Sequence, residues 1–132
     1  MLIKKQIITE HKQSMIDITS DVEEAVIESN VRNGICVVYT PHTTAAITIN
    51  ENSNHEVVRD ILFGLNKAYP DMQEFRNHDG NSASHIKSSS FGASETFIIS
   101  NGKLILGFWQ AIYFCEFYGP KTRNYYIKII EG

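Results

Sequence analysis

Basic clusters, cysteines and long apolar runs are all scarce in this chain, and each shortage closes off a class of function. Its 132 residues carry 12 lysines and arginines against 15 aspartates and glutamates, a net charge of −3, with no basic run. Electrostatic attraction to nucleic acid or to an anionic membrane surface is therefore not implied. No apolar stretch approaches the roughly 18 residues needed to cross a bilayer. The N-terminus, Met1-Leu2-Ile3-Lys4-Lys5, turns polar too early for the apolar core of a secretion signal. A cytoplasmic protein with no membrane and no nucleic-acid partner is the expectation. The two cysteines, Cys36 in GICVVYT and Cys115 in YFCEF, sit in apolar runs without CxxC spacing or an adjacent His or Lys. They read as buried, reduced thiols. Repeats, linkers and low-complexity tracts are absent too. What is present is 42% apolar and 11% aromatic residues, enough for one core in a single domain over residues 1–132.

The first half of the chain mixes strand and helix signals. Leu2 to Glu10 and Met15 to Thr19 read as a hairpin around the polar His11-Lys12-Gln13. Ser20-Asp21-Val22-Glu23 fits a capping box opening a helix that ends near Asn33-Gly34, with Val22, Ala25 and Val26 as its apolar stripe. Gly34 to Thr40 is β-rich and stopped by Pro41, and Ala45 to Asn50 reads as another strand. Ser53-Asn54-His55-Glu56 repeats the capping pattern. Val58, Ile61, Leu62, Leu65 and Tyr69 then follow at helical spacing up to Pro70. After a polar loop from Asp71 to Ser82, one or two helical turns run from Ser84 to Phe91 and stop at Gly92.

The remainder is β: Thr96 to Ser100, a turn at Asn101-Gly102, the run Lys103 to Tyr118, and Asn124 to Ile130. Asn-Gly between two apolar runs is a hairpin signal with a mechanism, since both turn positions require positive φ. The fold class is α+β, a mostly antiparallel β-sandwich with two main helices. In KLILGFWQAIYFCEFY both faces of the period-2 pattern are apolar, so the strand needs cover on both sides, from a second layer or from another subunit. Gln110 and Glu116 are polar exceptions there. Six residues apart, they lie roughly 20 Å from one another on a straight strand. Gln110 is either a satisfied structural amide or a site residue, and Glu116 either a strand-end salt bridge or a site residue.

Candidate chemistry rests on a few side chains. His11 and His55 fit solvated turn and cap positions. His42, in TPHTTAA, and the pair His78 and His85, in NHDGNSASH, are either ordinary loop histidines or a shared three-imidazole metal site with an open position. Asp79 and Asn81 could add oxygen ligands, or could simply be the turn residues their types favour. Lys87-Ser88-Ser89-Ser90 offers an ammonium and hydroxyls suited to phosphate, or forms a solvated helix face. Arg123, in GPKTR, could clamp a phosphate bidentately or be a surface residue.

Four segments, HTTAAITINEN (His42 to Asn52), HDGNSASHIKSSSFG (His78 to Gly92), GKLILGFWQAIYFCEF (Gly102 to Phe117) and GPKTR, resemble in order and spacing the YjbQ-like family of small bacterial and archaeal proteins. Phe108 stands where the family pattern has Thr, and Tyr118 where an acidic residue commonly precedes the Gly-Pro turn. The resemblance implies an α+β sandwich assembling as a homotrimer, with His42 able to approach His78 and His85 from its own or another chain. It also implies a weak, secondary thiamine-phosphate synthase activity, joining hydroxymethylpyrimidine diphosphate to a thiazole phosphate with release of pyrophosphate. On that reading Thr43, Thr44, Lys87 and Arg123 serve a small phosphorylated metabolite, while Glu51, Gln110 or Asn81 position a divalent metal or the pyrimidine. Three imidazoles suit Zn²⁺ better than Mg²⁺, which prefers oxygen ligands. A zinc-type metalloenzyme and a non-catalytic binder of a phosphorylated metabolite therefore stand as alternatives.

Overall fold

A strand that is apolar on both faces dictates where its neighbours must lie, and the computed structural model, which describes residues 1–132, shows the result. In chain order the elements are β1 (Leu2–Ile8), β2 (Ser14–Asp17), α1 (Thr19–Ser29), β3 (Gly34–Tyr39), β4 (Ala45–Glu51), α2 (His55–Ala68), α3 (Ser82–Phe91), β5 (Ser94–Ser100), β6 (Lys103–Leu104), β7 (Gln110–Glu116) and β8 (Thr122–Glu131). They form a five-stranded sheet of order β1-β8-β3-β5-β6 and a three-stranded sheet of order β2-β7-β4, with every pairing antiparallel. The α+β class and the antiparallel pairing expected from the sequence are both present, and the short helical turns expected from Ser84 to Phe91 form a third helix over Ser82–Phe91 beside the two main ones.

β7 lies at the centre of the small sheet and alternates as its sequence requires. Ile112 and Phe114 point into one core with Ile18, Val38, Ile47, Phe97, Tyr125 and Ile127, which fills the space between the sheets and takes in Val22, Ala25 and Val26 of α1. Ala111, Tyr113 and Cys115, with Phe117 just beyond, point the other way into a second core beneath α2 and α3. There Phe91 meets Phe117 edge to face, with ring centroids 5.7 Å apart. Both faces of β7 are thus covered within one chain, and the strand itself does not call for a second subunit. Both cysteines are buried and free, and burial pushes the Cys36 thiol up to about 11, which keeps it inert.

Several local expectations are corrected. Leu2–Ile8 and Ser14–Asp17 are strands but not a hairpin: β1 pairs along its whole length with β8, and β2 pairs with β7 in the other sheet. The polar residues His11 to Gln13 carry the chain from one sheet to the other, so adjacency in sequence is not adjacency in the ladder. Helix α1 begins one residue before the expected cap, because Asp17 Oδ1 accepts from both the amide and the hydroxyl of Thr19. It ends at Ser29, where Asn30 adopts positive φ. The α2 cap is Asn54, whose side chain accepts the Glu56 amide. The run from Lys103 to Tyr118 is broken: β6 belongs to the large sheet and β7 to the small one, and residues 105–109 make the crossing. The Asn-Gly hairpin forms as expected, with φ of 53° at Asn101 and 77° at Gly102.

One surface is left apolar. On the large sheet's outer side Ile35 stands between Ile98 on β5 and Ile130 on β8, and all three are exposed. The crossing segment also presents Phe108 and Trp109 to solvent, their rings 4.8 Å apart and edge to face.

Burial separates two phenylalanines sharply. Phe114 is fully buried and Phe108 is 83% exposed. Phe114→Ala is expected to cost about 3–5 kcal/mol through the cavity it leaves. Phe108→Ala is expected to change stability by no more than about 0.5 kcal/mol. Urea unfolding midpoints of the two variants test this.

Candidate functional site

Two polar constellations lie near the C-terminal end of β7, and their chemistry differs. The first is closed. Glu116, the last residue of β7, is fully buried. It accepts from Arg123 Nε at 2.8 Å, from Arg123 Nη2, from the Thr9 hydroxyl at 2.7 Å and from the Tyr118 amide at 3.0 Å. Arg123 Nη2 also donates to Thr44 Oγ1 at 2.8 Å. The carboxylate therefore has a donor on each lone-pair side, and the guanidinium fork is occupied by the protein itself. Burial alone would raise the Glu116 pKa, but the bonds from Arg123, Tyr118 and Thr9 outweigh it and hold the carboxyl below its ordinary 4.5. Gly119 is required here, because a Cβ would come within 2.2 Å of the His11 carbonyl oxygen and 2.9 Å of Glu116 Cγ.

His42 borders this cluster. Its Nε2 accepts the Asn124 amide proton at 2.9 Å. Burial, and then the Arg123 charge, lower its pKa from 6.5, while Glu116 acts in the opposite direction. The ring is held neutral, with its proton on Nδ1 and its only lone pair occupied.

The second constellation is open. A cleft of about 290 Å³ is lined by Lys12 and Gln13 from the β1–β2 connection, Asn66 and Tyr69 from the end of α2, and Asp71 just beyond it. Ser84 and Lys87 of α3 and Tyr118 complete the wall. Lys87 is 6% exposed. Its Nζ donates to Asn66 Oδ1 at 2.6 Å and Gln13 Oε1 at 3.2 Å, and no carboxylate lies within ion-pair distance. Burial lowers its pKa from 10.5, Asp71 opposes that shift and Lys12 adds to it. Helix α3 is fixed in place by Ser84, whose hydroxyl donates to the Phe117 carbonyl at 2.7 Å, and by Ser88, which donates to the Ala45 carbonyl at 2.6 Å. Those two serines anchor the helix that presents Lys87, Ser89 is exposed, and Ser90 bonds the Tyr69 hydroxyl.

The residues singled out from the sequence are dispersed over this frame. Arg123 is bound to Glu116 and to the Thr44 hydroxyl rather than free for a phosphate, while Thr43 is exposed. Glu51 and Gln110 face each other in register at the far end of the small sheet, roughly 20 Å along β7 from Glu116. Gln110 acts as a structural amide, accepting the Gly107 amide at 2.7 Å, and Glu51 accepts from Ser53. Asn81 precedes α3 and accepts from the Asn77 side chain at 2.7 Å. His78 is exposed in the preceding loop, and His85 is half-buried on α3. A metal ion does not fit the three histidines within one chain. His42 has no lone pair to give, and nowhere do three His, Cys, Asp or Glu side chains gather as a ligand set. Lys87 alone among the expected ligand residues faces the cleft. Gln13, Asn66 and Asp71 were missed, although Asn66 was legible: it falls four residues after Leu62 and three before Tyr69, a polar side chain on an apolar helix stripe.

The comparisons with known proteins agree with one another. The family described as UPF0047 protein YjbQ-like matches residues 4–132. The UPF0047 protein YugU of Bacillus subtilis is 50% identical over 131 residues, covering 98% of this chain and 99% of its own. The solved structure of an uncharacterised YjbQ/UPF0047 family protein from Clostridium acetobutylicum superposes with a TM-score of 0.95 at 50% identity, covering 97% of this chain and 99% of its own. A YbjQ-like protein of unknown function from Sulfolobus solfataricus superposes with a TM-score of 0.96 at 30% identity, covering 100% and 97%.

The buried pair leads to a stability cycle. Glu116→Leu and Arg123→Met each leave one group without its partner and are expected to cost about 3–5 kcal/mol. The double variant Glu116→Leu/Arg123→Met leaves no buried charge and is expected to cost less than the sum of the two. Acid dependence follows as well. The Glu116 contribution is present above pH 4.5 and lost as pH falls through its lower folded value. Because the folded state keeps His42 neutral, stability also declines as pH drops below 6.5 toward that residue's lowered pKa. His42→Gln, which keeps an acceptor but cannot titrate, is expected to remove the decline just below 6.5, read from thermal unfolding across pH 4–8.

Proposed function

The chain belongs to the YjbQ-like family, UPF0047, and from that membership and the Lys87 cleft we propose that it binds a small phosphorylated metabolite there. The joining of hydroxymethylpyrimidine diphosphate to a thiazole phosphate is the reaction such a site would serve. The observation that carries this reading is a buried ammonium with no anionic partner. Interior charges ordinarily have a counter-charge, and a phosphate oxygen entering the cleft would supply one to Lys87 with a charge-assisted bond. Lys12 adds a second positive group at the same cleft. The two lysines are also the groups that would stabilise a departing pyrophosphate.

Size favours one phosphorylated molecule at a time, since about 290 Å³ lies at the small end of ligand pockets. Asp71, the single carboxylate lining the cleft, is the residue that would hold a magnesium ion arriving with a diphosphate. A second substrate would be held at a subunit boundary, and the homotrimer implied by the family resemblance belongs to this proposal. Its support is the exposed row Ile98, Ile35 and Ile130, since contiguous apolar surface in water marks an interaction face.

Thermal unfolding in inorganic phosphate or pyrophosphate, against chloride at matched ionic strength, tests the binding. At about 100 times Kd the expected stabilisation is about 2.7 kcal/mol. It is expected to vanish in Lys87→Met. Equal stabilisation of both proteins, or none of either, contradicts the site. With both thiamine precursors and Mg²⁺, product is expected from the wild type above the Lys87→Met background, and its absence removes the synthase while leaving the binding. Light scattering is expected to give a trimer that dissociates on Ile35→Lys; a wild-type monomer contradicts the assembly.

A further inference from the structure

An amine in a sheltered cleft is a nucleophile as well as a cation, and the surroundings of Lys87 suit both roles. Its two partners, Gln13 and Asn66, are neutral amides. A carboxylate would hold the proton on the nitrogen. An amide does not, because turning its plane over exchanges the acceptor oxygen for an NH₂ donor and satisfies the free amine equally well. Burial acts in the same direction by disfavouring the charged form. Lys12 reinforces that effect, Asp71 opposes it, and Tyr69 and Tyr118 are the remaining titratable groups on the wall. The cleft therefore holds two lysines in different settings: Lys12 is exposed, while Lys87 is buried and rigidly presented by a helix that Ser84 and Ser88 anchor.

Resting on the phosphate reading above, we infer that this cleft takes a phosphorylated aldehyde or ketone: free phosphate pairs with the Lys87 ammonium, whereas with this ligand Lys12 alone keeps the phosphate and the Lys87 nitrogen, unprotonated, is bonded to the carbonyl carbon as an imine. The Lys87 nitrogen lone pair adds to the carbonyl carbon, and the C=O π pair takes up a proton from the nitrogen to give a carbinolamine. The carbon–oxygen bond then breaks as a C=N bond forms. Both amine protons leave with the carbonyl oxygen as one water, so no oxidant or reductant is needed. The imine also removes the buried positive charge for as long as its nitrogen stays unprotonated.

Reductive trapping tests this on the full-length protein. It is incubated with glyceraldehyde 3-phosphate and cyanoborohydride, then read by intact mass and peptide mapping. The expected result is one adduct per chain, located on Lys87, lost in Lys87→Arg, suppressed by inorganic phosphate, and slower with unphosphorylated glyceraldehyde. Label spread over the exposed lysines with Lys87 unmodified overturns the inference, and the wild-type peptide map decides this even if Lys87→Arg folds poorly. Phosphate-dependent stabilisation without trapping refutes the imine and leaves the phosphate site standing. Loss of both refutes the phosphate reading beneath it.

Discussion

Two opposite charges taken out of water must find each other and satisfy every remaining donor and acceptor, or the fold that buries them loses more than it gains. Glu116 and Arg123 meet that requirement at the point where four parts of the chain converge. Thr9 arrives just after β1, Thr44 just before β4, Glu116 ends β7, and Arg123 opens β8. β1 and β8 belong to the large sheet and β4 and β7 to the small one, so this single cluster fixes the register of the two sheets against each other. The glycine at 119 and the neutral His42 ring follow from it, because the first admits the close backbone approach and the second caps the Asn124 amide beside the guanidinium.

The open cleft depends on that closed one. Phe117 and Tyr118 continue from Glu116 into the cleft wall, and Ser84 ties α3 to the Phe117 carbonyl. The helix that presents Lys87 is thus docked on the residue following the ion pair. The contrast between the two cations is the basis of the functional reading. Arg123 has a carboxylate, a hydroxyl and no lack of partners, whereas Lys87 has two amides and a solvent-facing cleft. A buried cation that the protein leaves without a counter-charge is the one a ligand can serve.

Much of the fold was legible because it is encoded locally. The Asn101-Gly102 turn, the two-faced alternation of β7 and the apolar stripe of α2 each depend on residues within a few positions of one another. What could not be read depends on partners distant in sequence. β1 pairs with β8, more than a hundred residues away, so a hairpin with its nearest strand was the natural but incorrect reading. Glu116 stood out as a polar residue in an apolar run, but that its partner would be Arg123, and that this would remove Arg123 from the list of free phosphate ligands, required the tertiary structure. The histidines illustrate the same limit: spacing placed His78 and His85 near each other, but the backbone amide that occupies the His42 lone pair has no signal in the sequence. At the cleft, Lys87 was visible in its serine-rich segment and Asn66 could have been, while Gln13 and Asp71 are unremarkable polar residues until the chain folds.

The central claim is that the protein's anion site is centred on Lys87 and not on Arg123 or the histidines. Locating a bound anion by crystallography, with the protein crystallised in the presence of inorganic pyrophosphate, addresses it most directly. Pyrophosphate is expected within hydrogen-bonding distance of Lys87 Nζ, with the Glu116–Arg123 pair intact. Pyrophosphate seated on Arg123 with that pair opened, or bound at His78 and His85 with the Lys87 cleft empty, would contradict it.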